Sequence, residues 1–422
     1  MSTVITRHLE RAEQSPAGIR QFFRDLRLTS FSNAIIGFCF AASGPVAVIL
    51  SVGASGGLAQ SQIASWIFAV FFLNGLLGIA ACLYYRTPLV FFWTIPGTVL
   101  IGPALQHLSF AEVVGACYIT GLLMLLLGLS GWVSVVMRLI PMPIVMAMVA
   151  GVFLQFGLDW VHAVHSDIAI AGVMTLVFII LSALPVLGRW LPPVIGALLS
   201  GIAAVWWSGE FVAPTSQSAQ TALLILPQIV TPVFSWQAIA ELVLPLAITV
   251  IMVQNGQGIV ILRAAGHQPP VNTIAVTSGI GTMMAAIFGG SPTCLTGPTN
   301  ALISSSGEKS SHYTAGVIIG LFALAFGLFA PTLTGWMLAT PPAFIAALAG
   351  IALFKVLQAS FASAFGGKYQ LGALMCFLVT VSELAIFRIG APFWGLVFGT
   401  LVSLAIERQD FDSTKETARA DD

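Results

Sequence analysis

Two stretches of this sequence carry side chains able to hold a ligand where the surrounding residues suit only lipid. Residues 289–300 read GGSPTCLTGPTN, and residues 87–107 read TPLVFFWTIPGTVLIGPALQH. The first offers the donors of Thr296, Thr299 and Asn300 around Gly297 and Pro298; the second offers Thr94 and Thr98 around Pro96 and Gly97. Proline begins helices and breaks them when placed inside, so each stretch predicts an extended segment followed by a short helix. From Pro298 to about Gly307 such a helix rises only ~15 Å, half of a ~30 Å hydrocarbon core. The extended residues before it, at ~3.3 Å each, supply the missing length. A helix start presents N–H groups without intrahelical partners and the positive end of the helix dipole, which together attract anions. Gly97 and Gly297 permit close backbone approach. The chemistry these residues suit is the reversible binding of an anion.

The elements that must position them are membrane helices. The chain of 422 residues is 58% hydrophobic and 8% charged, with mean hydropathy +0.97 and net charge zero. Long apolar runs recur throughout, which predicts an all-α polytopic membrane protein. Fourteen spans are expected near 31–51, 62–83, 88–106, 111–129, 138–158, 167–187, 191–207, 238–262, 271–288, 292–307, 314–333, 342–361, 370–387 and 391–406. With the N-terminus in the cytoplasm, the inner connections hold Arg86, Arg138, Arg189, Arg263, Lys309 and Lys368, and the outer ones hold only Arg388. That asymmetry is the one expected of basic cytoplasmic loops.

PIVMAMVAG (143–151) and PAFIAALAG (342–350) share Pro, two Ala and Gly at an offset of 199, which also carries Pro193 and Gly196 onto Pro392 and Gly395. The chain therefore divides into a cytoplasmic tail (1–30), a seven-span repeat (31–207), an external connection (208–237), a second seven-span repeat (238–407) and a second cytoplasmic tail (408–422). An odd number of spans inverts the second repeat, as in secondary transporters. The broken third and tenth spans then enter from opposite leaflets, their short strands able to pair and their helix starts converging near the midplane. Within the first tail, Ile19, Phe22, Phe23 and Leu26 interleave with arginines as in an interfacial helix.

Several function classes are excluded. Zero net charge argues against nucleic acid. Cys39, Cys82, Cys117, Cys294 and Cys376 are scattered without metal or disulfide spacing. The sequence has no H-E-x-x-H, G-x-S-x-G or nucleotide-binding loop, so no enzyme, metal or cofactor is expected.

The paired interruptions WTIPGT (93–98) and SPTCLTGPTN (291–300), with VQNGQGIVILRAAGHQPP (253–270) in the eighth span, resemble the benzoate:proton symporter family. More distantly the pattern is similar to the nucleobase:cation symporters and the sulfate and bicarbonate carriers. The resemblance covers about residues 25–407. It implies a core domain of spans 1–4 and 8–11, a gate domain of spans 5–7 and 12–14, a site between them, and a homodimer in an inner membrane. It also implies proton-coupled import of benzoate or a related aromatic carboxylate by alternating access; an anion exchanger or channel-like carrier is the alternative on the same fold.

Nucleobase carriers of this fold place carboxylates at positions that here are about Gln254 and Pro298 to Thr299. Neither is acidic. Gln254, Asn255 and Gln257 are neutral amides that can bond an anion without repelling it. An aromatic acid also needs ring contacts, for which Phe38, Phe40 and Trp93 are candidates. The proton then rides on the substrate or on an acid elsewhere, with Glu383, Glu112 and Glu241 the candidates.

Overall fold

The computed structural model describes residues 9–12, 14–133, 135, 140–184, 191–209, 223–305, 307–382, 384, 386–387 and 389–411. In chain order these form helix α1 (Ile19–Asp25), α2 (Leu28–Ser55), α3 (Gln60–Tyr85), strand β1 (Phe91–Trp93), α4 (Ile95–Ala104), α5 (Phe110–Ser130), α6 (Met142–Ser166), α7 (Ile168–Ala183) and α8 (Pro193–Ser208). Then follow α9 (Trp236–Ala264), α10 (Val271–Ala286), β2 (Thr293–Leu295), α11 (Gly297–Ile303), α12 (Lys309–Leu328), α13 (Ala330–Leu338), α14 (Pro342–Phe365), α15 (Gln370–Val381) and α16 (Ala391–Ile406). Seven of them, α2, α3, α5, α6, α9, α12 and α14, are long and apolar enough to cross a membrane.

The helices pack as two groups. Helices α6 and α14 lie along each other, with α15 and α16 against α6 and α7 against α8. In the other group α5 packs on α10, α3 on α12, and α2 on both α11 and α12. Small residues set these distances: a Cβ on Gly121 of α5 would stand 2.8 Å from the Gly279 carbonyl of α10. Close backbone approach replaces the hydrophobic effect as the source of helix association in lipid. The two groups meet where α14 lies against the Gly44–Ser55 half of α2.

Three local features depart from uniform spans. Helix α2, expected to run unbroken, is interrupted at Ser43 (φ −97°, ψ −102°), where Pro45 follows Gly44. A Cβ on Gly44 would stand 2.2 Å from Ala352 Cβ of α14, so the break brings the two groups into backbone contact. Helix α9 carries two π-helical stretches, Ile239–Val243 and Thr249–Asn255, a geometry frequent at functional sites. Helix α6 extends to Ser166, so Asp159, His162 and His165 lie on a helix end rather than in a loop.

The segment before α2 is tied to the body. The Glu10 carboxylate accepts the Asn272 and Thr273 N–H groups at the start of α10, and Asp25 accepts Arg86 (3.0 Å) and Tyr313 (2.9 Å). Helix α1 turns Phe22 and Leu26 onto the core and leaves Ile19 and Phe23 exposed, the amphipathic division expected of it. Nearby, His312 is buried and lies 3.1 Å from His267. Burial and the facing His312 and Lys309 push His267 down to about 4. The unfolded chain takes up that proton near pH 6.5 and the folded chain only near 4, so stability falls as pH drops through that window. Melting in detergent at pH 4.5 is therefore expected below that at pH 7.5, and the difference is expected to shrink in His267→Gln.

Candidate functional site

The two interruptions meet. β1 and β2 pair antiparallel, with Phe91 opposite Leu295, Phe92 opposite Cys294 and Trp93 opposite Thr293. The Thr94 N–H donates to the Pro292 carbonyl (2.8 Å), and the Thr296 N–H donates to the Val90 carbonyl (3.2 Å). Each of these pairings maps onto the other when residue numbers are shifted by 202, so a local two-fold axis passes through the Phe92–Cys294 pair. Thr94 and Thr296 stand in equivalent places, each preceding its half-helix, with Pro96 and Pro298 two residues on. Helix α11 ends at Ile303, shorter than its expected extent.

The expected donors divide by what already engages them. Thr94 accepts the Gly97 N–H (3.1 Å), capping α4. Thr98 donates to Ser291 Oγ (2.9 Å), which also accepts from Trp66 Nε1 (3.1 Å). Thr296 makes no cap bond to α11, and among the described residues its hydroxyl reaches only Thr299 Oγ1 at 3.4 Å. Asn300 holds the Val90 N–H with its oxygen, and donates its amide hydrogens to the Val90 and Thr296 carbonyls. It is a clamp between α11 and the strand of the other repeat, not an available donor. Asn255 is engaged likewise, accepting the Leu295 N–H (2.7 Å) and donating to Ser278.

Helix α9 runs past both half-helix starts. Leu246 packs at Gly97, where an added Cβ would stand 3.1 Å from Leu246 Cδ2, and Gln257 packs at Gly297, 2.6 Å from an added Cβ there. Gln254 lies between them in the π-helical stretch. Its residue is 8% exposed, and its amide has no hydrogen-bond partner among the described residues. Gln257 is exposed and also forms no such bond. Of the three amides, Gln254 is the one both buried and uncommitted.

The aromatic candidates separate too. Trp93 is buried with its Nε1 unpartnered among the described residues, and its ring lies 5.0 Å from Phe71. Phe71 joins it to Phe38 (6.3 Å) and to Phe326 (4.4 Å). Phe40 lies outside this cluster, its carbonyl accepting the Ser43 N–H and hydroxyl at the α2 break. A cavity of about 510 Å³ begins beyond Phe326, lined by Ala42, Ser43, Leu198, Thr334 and Phe344, with no charged side chain. None of the sequence-designated residues borders it.

Among the acids, Glu112 accepts the Ser109 N–H and hydroxyl and so caps α5. Glu241 is buried and lies 2.9 Å from His107 Nε2, with Gly390 packed against its carboxylate. Glu383 lies outside the described residues.

Sequence reasoning passed over Phe71, whose ring joins Trp93 to Phe38, and Ser291, which joins the two repeats. It also passed over Lys355, the one charged residue of α14. Its signal was present, a lone cation inside PAFIAALAGIALFKVLQASF.

The family described as benzoate membrane transport protein matches residues 25–405. Inner membrane protein YdcO of Escherichia coli K12 is 31% identical over 376 residues, covering 88% of this chain and 93% of that protein. The benzoate membrane transport protein of Acinetobacter baylyi is 28% identical over 382 residues, covering 88% and 94%. Among solved structures, the transmembrane domain of a cyanobacterial bicarbonate transporter, BicA, matches with TM-score 0.54 and 17% identity over 90% of this chain and 98% of its own. The murine Slc26a9 anion transporter matches with TM-score 0.60 and 12% identity over 96% and 74%. At such identities the likeness is one of fold.

Proposed function

The chain belongs to the benzoate membrane transport protein family, and from that premise we propose that it imports benzoate or a closely related aromatic carboxylate together with protons. It is a multi-pass membrane transporter, not an enzyme. The observation that carries the substrate reading is Gln254, a buried amide without a partner among the described residues, on the stretch of α9 between Leu246 and Gln257, which pack at the two half-helix starts. A neutral amide donates to a carboxylate without repelling it, and the helix ends favour negative charge. The Trp93, Phe71 and Phe38 rings supply an apolar flank for the arene.

Benzoate is an anion at neutral pH, so accumulation against an inside-negative potential requires a cation. Glu112 is engaged in capping, which leaves Glu241 with its His107 partner as the described acid suited to carry the proton. The two helix groups move against each other about the site, with the protein in an inner membrane, both termini cytoplasmic, and two copies associated. Cysteine placed at Ser216 is expected to react with a membrane-impermeant thiol reagent in intact cells, and cysteine at Ser2 is not; the reverse pattern would sink this orientation.

Uptake of labelled benzoate into proteoliposomes under an imposed proton gradient tests the reading. Accumulation is expected with the gradient and absent without it. In Glu241→Gln, proton-driven accumulation is expected to fall at least tenfold while benzoate exchange at equilibrium persists. Uptake indifferent to pH and voltage would replace symport by exchange.

A further inference from the structure

We propose that Lys355 is the gate-side counter-charge for the substrate carboxylate, meeting the anion in the crevice between α14 and the α2 break. The proposal rests on the carboxylate-transport reading above and adds a residue on the opposite wall from the half-helices.

Lys355 is the fourteenth residue of the 24-residue α14, about 20 Å along its axis from the start. That places it close to the middle of a ~30 Å hydrocarbon core. An ionised side chain at such depth faces a partner or a water-filled cavity, because hydrocarbon solvates it poorly. Among the described residues Lys355 has no ion pair and no hydrogen bond.

Its direction follows from the helix. Ile345, Leu348, Ala352, Lys355, Ala359 and Ala362 recur at alternating steps of three and four and form one stripe. Ile345 and Leu348 are buried, Ala352 is half-buried, and Lys355, Ala359 and Ala362 are exposed. Ala352 is the residue against which Gly44 packs at the α2 break. The opposite side of α14 is filled, with Leu353, Ser360 and Ala364 buried, and one flank packs Phe354 on Trp160 (4.8 Å) and Phe361 on Phe377 (5.3 Å). The stripe that meets α2 in the first half of α14 is therefore exposed from Lys355 onward, toward the end at which α14 finishes.

The walls offer no competing anion. Helices α2, α4 and α11 contain no charged residue. On the adjacent α6, Asp159 accepts from Gln155 and forms no ion pair with Lys355. A lone cation opposite two positive helix ends suits one occupant, a monovalent anion small enough to enter the crevice. Its carboxylate would exchange Gln254 for Lys355 as the groups shift.

Benzoate titrations on purified wild type, Lys355→Arg, Lys355→Met and Lys355→Glu test this. Affinity is expected to stay within about threefold in the Arg variant, to fall at least tenfold in Met, and to fall further in Glu, a charge order that a packing role would not produce. Asp159→Asn is expected to keep wild-type affinity; a loss equal to that of Lys355→Met would instead assign the lysine to an ion pair within the gate and overturn the proposal. Near wild-type binding in both Met and Glu variants also overturns it. Should those variants misfold, amine acetylation of the wild type is read by mass spectrometry: benzoate is expected to slow modification of Lys355, and no protection would overturn the proposal. A wild type that binds no benzoate would refute the substrate reading itself.

Discussion

Gln254→Glu is expected to abolish benzoate binding, and Gln254→Leu to weaken it while leaving the folded protein's melting temperature near that of the wild type. The expectation of intact folding comes from the same fact as the expectation of lost binding: the Gln254 amide bonds nothing among the described residues. No internal hydrogen bond is broken by replacing it, so the change acts on the ligand. A carboxylate there would face the incoming carboxylate with like charge, at a place where low dielectric strengthens repulsion. The milder Gln254→Leu removes one hydrogen bond to a charged group, worth ~1.5–3 kcal/mol, or about 10- to 150-fold in dissociation constant. Isothermal titration of both variants provides the check. Wild-type affinity in Gln254→Glu would mean that the anion does not approach this amide and that the site lies elsewhere.

How far the sequence alone reaches is set by the range of each signal. The broken spans were legible because Pro88, Pro96, Pro292 and Pro298 punctuate apolar runs locally, and the structure has strands and half-helices there. The break in α2 carries a comparable local mark in Ser43, Gly44 and Pro45, but the apolar residues on both sides satisfied the length of a whole span and hid it. What no local pattern could reveal is which amide is already committed. Asn255, Asn300 and Gln254 are alike as donors in the sequence. Their difference lies in partners 40 and 210 residues away, at Leu295 and Val90, and in the absence of any for Gln254 among the described residues. Glu112 shows the same limit: its capping partner Ser109 is three residues off and visible, whereas the His107 that meets Glu241 is 134 residues distant. Lys355 was lost for another reason, since a window of some twenty residues tolerates a single lysine without failing as a span.

The Asn300 clamp gives the opposite expectation to Gln254, and the pair together test the division of labour between them. Asn300 is fully buried; two of its three bonds join α11 to Val90 at the entry of β1, and the third goes to the Thr296 carbonyl. Asn300→Ala leaves the Val90 N–H buried without an acceptor, at a cost of about 1–3 kcal/mol, and deletes two donated bonds of about 0.5–1.5 kcal/mol each. A loss of ~2–6 kcal/mol is therefore expected, read as a melting temperature lower by several degrees in detergent without ligand. Asn300→Asp keeps an acceptor for Val90 but can donate to neither carbonyl, and sets a buried charge against two carbonyl oxygens, so it is expected to be at least as damaging. Thr98 occupies the place equivalent to Asn300 under the 202-residue shift and reaches across to Ser291 with one bond. Thr98→Val should consequently lower the melting temperature by less than Asn300→Ala. In all three variants benzoate affinity should weaken only as the strand pair loosens, so stability and binding decline together, whereas at Gln254 binding falls alone. Full stability in both Asn300 variants would show that the half-helices are held by their strands and flanking helices rather than by this amide.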